Sequence, residues 1–478
     1  MGNGSGDLED YHIAFYSDER FCGGFVWEWC DYAGILGYTD DGKAKYGYGG
    51  DFGEKHHDGN FCMDALTYPD RTPHTGLLEL KQVYRPVRVK KGCASGLFVF
   101  ESMLEFENAG NILDCRYEIT FDGGVLSEGG VDFSVPPMVG TAIHIPEAAK
   151  SFDRDTYIRF IFTAKNDTSY CKKGYEVCFD QINLFSTEKQ AEKRMNGRGA
   201  VLNEDAFYVN VSAEDTEYRF NKKISAFDSI KHKGKELLDR PLEYNFFRAP
   251  TDNDVMKNDW YSAHLNDHEI KNYGVMAELA PEGAVIALKQ AFVWNIYQPI
   301  AYMNTRYVIS SSGLDISCKA EFSNKVTFLP RSSIRLFMPR SFDRVEYFGL
   351  GSFESYIDKH QADRMDNFSE NISDMHEDYI RPQENSSHFG CKHMTVSDGE
   401  TKVKFTSDED FSFNASEYTQ EELSEKRHNF ELEKCGSSVI CVDHMMAGVG
   451  SAACGPALSE KYRLPLPEIS ASFCIQIS

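Results

Sequence analysis

A chain of 478 residues with 41% hydrophobic and 13% aromatic content has enough apolar material for about three folded domains, which excludes a disordered or low-complexity protein. The formal net charge of −24 sets nucleic acid and anionic membranes aside as partners, because phosphates are repelled over most of such a surface. No run of eighteen apolar residues occurs and the opening MGNGSGDLEDYH carries neither a basic region nor an apolar stretch, so the expected location is the cytoplasm, with no membrane span and no secretory leader.

In chain order, residues 7–17 (DLEDYHIAFYS) set Leu8, Tyr11 and Phe15 at helical spacing behind a Gly/Ser/Asp start and predict a helix. GGFVWEWCD, residues 23–31, is a short apolar run punctuated by glycine and predicts a strand. In a strand, Trp27 and Trp29 share one face and Glu28 takes the other. A polar loop follows, and then RTPHTGLLELKQVY predicts a second helix, with Thr72 as N-cap, Pro73 at the first helical position, and Leu77, Leu80 and Tyr84 on one face. Helix, strand, loop and helix make one and a half α/β units, too few to close a sheet.

Beyond Tyr84 the texture changes to alternating segments with tight-turn signals, as in LFVFESMLEFENAGNILDCRYEITFDGG and TYIRFIFTAK, which predict an antiparallel sandwich over residues 85–185. Residues 186–205 are polar, glycine-interrupted and read as a linker. From 206 to 478, strand patterns recur without long helices (YVNVSAEDTEYRFN, AFVWNIYQ, LDISCKAEFS, SVICVDHMM) and predict a large all-β sandwich. Thirteen cysteines without a C-x-x-C pair, and odd in number, point to reduced thiols rather than a zinc site or a disulfide framework.

Two stretches carry binding chemistry. Sugars offer C–H on their faces and hydroxyls at their edges, so their sites stack an aromatic ring under the pyranose and surround it with carboxylates and amides. GGFVWEWCD and the loop YGYGGDFGEKHHDGNFCMDALTYPDRTPH have that composition. Within the loop His56 and His57 are adjacent, and adjacent side chains point apart in extended chain, so they read as loop residues rather than metal ligands. FFRAPTDND, residues 246–254, reads as an Asx-rich turn that stiffens a loop, and EYFGLGSFESY and YIRPQENSS read as sandwich loops.

Taken in order, MGNGSGDLEDY, GGFVWEWCD, YGGDFGE, NFCMDALTYPDRTPH, FRAPTDND, YFGLGSFESY, YIRPQENSS, YTQEEL and HMMAGVGSAACGPAL resemble the C-terminal part of a glycoside hydrolase family 2 β-galactosidase of the large multidomain type, and the likeness runs along essentially the whole chain. The resemblance implies a mainly β multidomain fold: residues 1–84 as the last part of a (β/α)8 TIM barrel, 85–185 as an immunoglobulin-like β-sandwich, and 206–478 as the large C-terminal β-sandwich. It implies hydrolysis of terminal non-reducing β-D-galactose, as in lactose, with retention by double displacement. That chemistry needs two carboxylates about 5–5.5 Å apart. By the family pattern the nucleophilic glutamate stands in a Glu-Tyr-(small)-His-Ala segment ahead of Met1 and the acid further upstream, so the chain holds no catalytic residue and is expected to be inactive alone. Glu28, facing away from the tryptophans, and Asp31 are not expected to substitute.

The resemblance also implies binding residues. Trp27 is the floor on which galactose stacks, whereas Trp29 is expected to be packing. The Phe61 carbonyl and the Asp64 side chain hold a sodium ion that touches the galactose 6-hydroxyl; a familiar member has an amide at the position of Asp64. His57 falls near a magnesium-associated position whose other ligands lie mostly upstream. The segment from Val255 is a loop at the site mouth, and Cys454 stands where some members place a tryptophan against the aglycone. Expected partners are a β-galactoside, the missing N-terminal part of the enzyme, and further copies in a homo-oligomer. Two alternatives stay open: one chain of a two-chain enzyme, or a non-catalytic carbohydrate-binding β-sandwich protein. In isolation, residues 1–84 are expected to bare Leu8, Phe15, Phe25, Leu77 and Leu80 and to be protease-sensitive.

Overall fold

The computed structural model describes residues 4–187, 199–294 and 298–478. The first three residues of the MGNGSG motif, most of the 186–205 linker and the centre of AFVWNIYQ lie outside the described residues.

The first predicted helix forms as α1, Leu8–Ser17. The strand predicted over 23–31 does not form. That stretch is extended but irregular, and its one sheet-like contact is a parallel bridge between Cys30 and Thr67. A strand needs a neighbour along its length, and here residues 64–67 offer a few backbone groups only. Within the predicted loop a small antiparallel hairpin appears, β1 (Gly34–Tyr38) with β2 (Ala44–Gly47). Thr39 and Asp41 lie at its turn, where the amide of Lys43 donates to Thr39 Oγ1 at 2.9 Å.

The second helix, α2, spans Thr75–Val83 with His74, not Thr72, at its N-cap. Thr72 is spent in a turn, both its amide (2.9 Å) and its hydroxyl (2.7 Å) donating to Asp70 Oδ1. The buried side of α2 is also not the predicted one. Leu77 and Leu80 are half-buried and Tyr84 is exposed, while Thr75, Gly76, Glu79, Gln82 and Val83 face inward. The polar stripe turns in because its partners are there. Glu79 accepts the amides of His360 (3.2 Å) and Ala362 (3.0 Å), Gln82 bonds the Phe179 backbone, and Thr75 donates to Glu354 at 2.8 Å. Periodicity marks the apolar face of a helix but not the partners waiting on the other one.

Seven strands build the next domain in two antiparallel sheets. One joins Val87–Lys91, Leu97–Ser102 and Gly140–His144, and the other Gly124–Val131, Leu113–Phe121, Thr156–Ala164 and Glu176–Phe185. Alternating inward residues meet in an aromatic centre, where Phe160 stands edge-on to both Phe98 and Phe100 at 5.0 Å. Such edge-on packing is the preferred geometry of paired rings. Beyond it, a five-stranded antiparallel sheet covers residues 200–236, and a twelve-stranded antiparallel sheet runs from Arg240–Asn245 to Glu468–Ile477. A single core of buried aliphatic and aromatic side chains joins these two sheets, with Phe220, Phe227 and Tyr307 at their contact.

Residues 4–84 are fastened to the large sandwich by buried polar contacts. The Asp7 amide donates to the Asp358 carbonyl at 3.1 Å, and the Asp358 carboxylate accepts the amides of Val449 (3.0 Å) and Gly450 (2.7 Å). On the opposite side of α1, Glu9 pairs with Arg88 at 2.5 Å. Leu8, Phe15, Leu77 and Leu80 are therefore half-covered, whereas Phe25 is fully bare, at 104% of its reference exposure. Among the described residues no helix is long and apolar enough to cross a membrane, and all thirteen cysteines are free.

Candidate active site

Two segments far apart in sequence are laced together by backbone. Glu28 donates to the Asp64 carbonyl at 3.3 Å, Leu66 to Glu28 at 2.9 Å, Thr67 to Trp29 at 3.0 Å and Asp31 to Thr67 at 3.0 Å. Asp31 adds its side chain, accepting the Ala65 amide on Oδ1 at 3.0 Å. Trp27 thus stands at the end of a short ladder opposite Asp64. Its ring is 76% exposed, between Phe25 and a Trp29 that is itself 60% exposed. Trp29 was expected to pack, but no second layer covers 23–31 among the described residues, so both indoles reach the surface.

Asp64 has the opposite character. It is 6% exposed, and its Oδ1 is buried with no hydrogen-bond partner. Burial pushes its carboxyl up to about 6, and the nearby charges of Glu28 and Asp31 add to the effect. Glu28 was expected to face away from this region. Without a regular strand the two-residue alternation fails, and Glu28 comes to the same side. There it takes a hydrogen bond from the Tyr32 hydroxyl, which holds that phenol above its usual value.

Phe61 and Cys454, the other predicted binding positions, are both exposed and are approached from a common turn. Asn60, beside Phe61, donates to Asp252 at 2.7 Å. The next residue, Asn253, donates to the Gly450 carbonyl at 2.8 Å and accepts the Ala453 amide at 2.9 Å, beside Cys454. The turn is stiff. Arg248, fully buried, grips Asp254 through Nη2 at 2.6 Å and Nε at 3.3 Å and also donates to the carbonyls of Ala447 (2.6 Å) and Gly448 (3.0 Å). FFRAPTDND is therefore the stiffened loop its composition predicts, and in addition a clamp between the loop of Phe61 and the loop of Cys454.

Two cations were expected. An unpartnered, buried carboxylate oxygen on Asp64, three residues from the Phe61 carbonyl, is a hard-oxygen environment that fits sodium. His57, the one position here implied for magnesium, has no partner ligands among the described residues of this chain. His57 lies on an exposed loop with its Nδ1 accepting the Gly59 amide at 3.1 Å, and among the described residues no group of three His, Cys, Asp or Glu could hold a metal.

Residues 212–475 match the family model described as the β-galactosidase small chain. This chain belongs to that family. The two remaining parts of the small-chain family member match a glycosyl hydrolase family 2 TIM-barrel domain over residues 1–89 and β-galactosidase domain 4 over residues 98–185. Proteins named β-galactosidase are similar to it along 99% of its length: one from Actinobacillus pleuropneumoniae at 36% identity, one from Staphylococcus xylosus at 32% and one from Kluyveromyces lactis at 28%. The small-chain protein spans a little under half the length of these relatives, 46%, 48% and 45% of them respectively.

Residue-type reasoning missed two members of this site. Asp31 was read as the start of a loop and His74 only as a letter of the TPH motif, yet both are buried and in contact, with His74 Nε2 3.1 Å from Asp31 Oδ2. Their signal was faint: an acid at the end of an apolar run and a histidine at the start of a helix.

Proposed function

We propose that this chain forms the galactose-facing wall of a retaining β-galactosidase and that both catalytic carboxylates come from sequence outside it. The single observation that carries the reading is that the bare Trp27 ring and the buried Asp64 carboxyl, whose Oδ1 has no hydrogen-bond partner, stand on two segments laced together by backbone. The indole offers an apolar platform for the C–H face of galactose, and the Asp64 oxygen with the Phe61 carbonyl would hold sodium. When bound, that ion supplies a fixed positive charge for a sugar hydroxyl. Asp64 orients it and Trp27 sets the plane of the ring above.

The acids of this chain are poor candidates for the attack and the proton transfer. Asp31 has one oxygen on the Ala65 amide and the other against His74, and Asp64 is 6% exposed and taken up by the cation site. The hydrolytic step, attack at the anomeric carbon by one carboxylate while another protonates the leaving oxygen, then belongs to the partner sequence.

Assembly with that sequence, as two chains or one, is favoured by the bare apolar band formed by Phe25, Trp27, Trp29, Tyr32, Phe52 and Phe61. So many exposed large apolar groups within residues 25–61 mark a surface meant to be covered. The test is hydrolysis of a chromogenic β-galactoside by the purified chain, alone and mixed with a separately made N-terminal half of a relative. Silence alone and activity on mixing support the reading. Clear turnover by the chain alone overturns it.

A further inference from the structure

We infer that His74 is the positioning residue of this sugar cradle, transmitting the large sandwich's rigidity to Asp64 through Asp31. His74 meets the 64–67 segment at two points: its backbone amide donates to the Leu66 carbonyl at 3.0 Å, and its ring packs against Asp31, Nε2 3.1 Å from Oδ2 but outside hydrogen-bond alignment, while the second Asp31 oxygen carries the Ala65 amide. Both side chains of this contact are 2% exposed. Without the imidazole against it, the Asp31 carboxylate is free to move and takes the Ala65 amide with it.

The other side of the imidazole meets two tyrosines, Tyr68 of its own domain and Tyr379 of the sandwich. Its ring centre lies 3.8 Å from that of Tyr68 and 5.7 Å, edge-on, from that of Tyr379. The Tyr68 hydroxyl donates to Glu377 and the Tyr379 hydroxyl to Glu354, which in turn pairs with Lys359 at 2.7 Å. This gives the SFESY motif and its neighbours a task beyond sheet packing. The buried network they form ends on the histidine that fixes the residue beside Asp64.

The inference rests on the reading of Trp27 and Asp64 as a cradle, and its test separates the two. Hydrogen exchange in the full chain reports on the 62–67 segment without sugar or sodium. His74→Ala is expected to speed exchange there by about tenfold or more while the strands Lys402–Ser416 and Ser437–Met446 stay protected, and His74→Gln, which keeps a donor near the Nε2 position, is expected to recover most of the protection. Unchanged exchange in His74→Ala, or equal loss in Ala and Gln variants, overturns the positioning role. In parallel, sodium binding by the same chains is followed by 23Na relaxation. Binding that is lost in Asp64→Ala and weakened about tenfold or more in His74→Ala supports both claims. Sodium binding untouched by Asp64→Ala sinks the cradle reading alone, and sodium binding lost in Asp64→Ala yet equal in wild type and His74→Ala sinks the role of His74 alone.

Discussion

Glu79 allows a prediction whose sign and size both follow from its surroundings. Its side chain is 1% exposed on the inward face of α2, and burial pushes its carboxyl from 4.5 up to about 7 against the opposing pull of the Ala362 and His360 amides and of Lys359. The folded value lies above the unfolded one. Docking of α2 on the sandwich is therefore strongest below about pH 4.5 and weakens as pH rises through about 7, by about 3 kcal/mol in full. Glu79→Gln removes the charge at every pH. The amide oxygen can still accept one of the two backbone N–H groups, but its NH2 faces the other, at a cost of about 1 kcal/mol. The variant should be about 1 kcal/mol weaker than wild type near pH 3.5 and about 2 kcal/mol stronger near pH 8, with the curves crossing near pH 5. Hydrogen exchange of the 75–84 peptide, corrected for the intrinsic rate at each pH, measures this local docking. Parallel curves, or a variant weaker than wild type near pH 8, would refute the argument that burial dominates at this residue.

Arg248→Met leaves Asp254 and the Ala447 and Gly448 carbonyls buried and unpaired, so urea unfolding should show about 3–5 kcal/mol lost, with partial recovery when Asp254 is replaced by Leu as well. Asp64, raised from 3.8 to about 6, contributes stability that is lost as pH rises between those values; in sodium-free buffer the melting temperature should fall from about pH 4 to about pH 6 and level off above, recover on adding sodium, and do neither in Asp64→Ala. Trp27→Ala removes a bare ring, so the chain's stability should change by no more than about 0.5 kcal/mol while galactoside affinity in the assembled enzyme falls about tenfold or more; a stability loss comparable with the affinity loss would mean that the ring packs rather than binds.

Much of the molecule was legible in its letters. Alternation within LFVFES and TYIRFIFTA marks one face of each strand for burial whatever the partner, because neighbouring side chains in a strand must point oppositely. The helical spacing of Leu8, Tyr11 and Phe15 marks α1 in the same way, and the order of nine motifs marked the family. These signals are local, or add up along the chain.

What the letters did not determine were the places where a distant partner decides. GGFVWEWCD has the composition of a strand but found only 64–67 beside it, so it stayed irregular and Glu28 turned toward Asp64. Helix α2 has an apolar stripe, yet it buried Glu79 and Gln82 because the sandwich supplied their hydrogen-bond partners. His74 and Asp31 acquired their meaning only on contact, across 43 positions of chain. Hydrophobic periodicity is a property of one segment, whereas the satisfaction of a buried polar group is a property of two, and only the folded chain says which two meet.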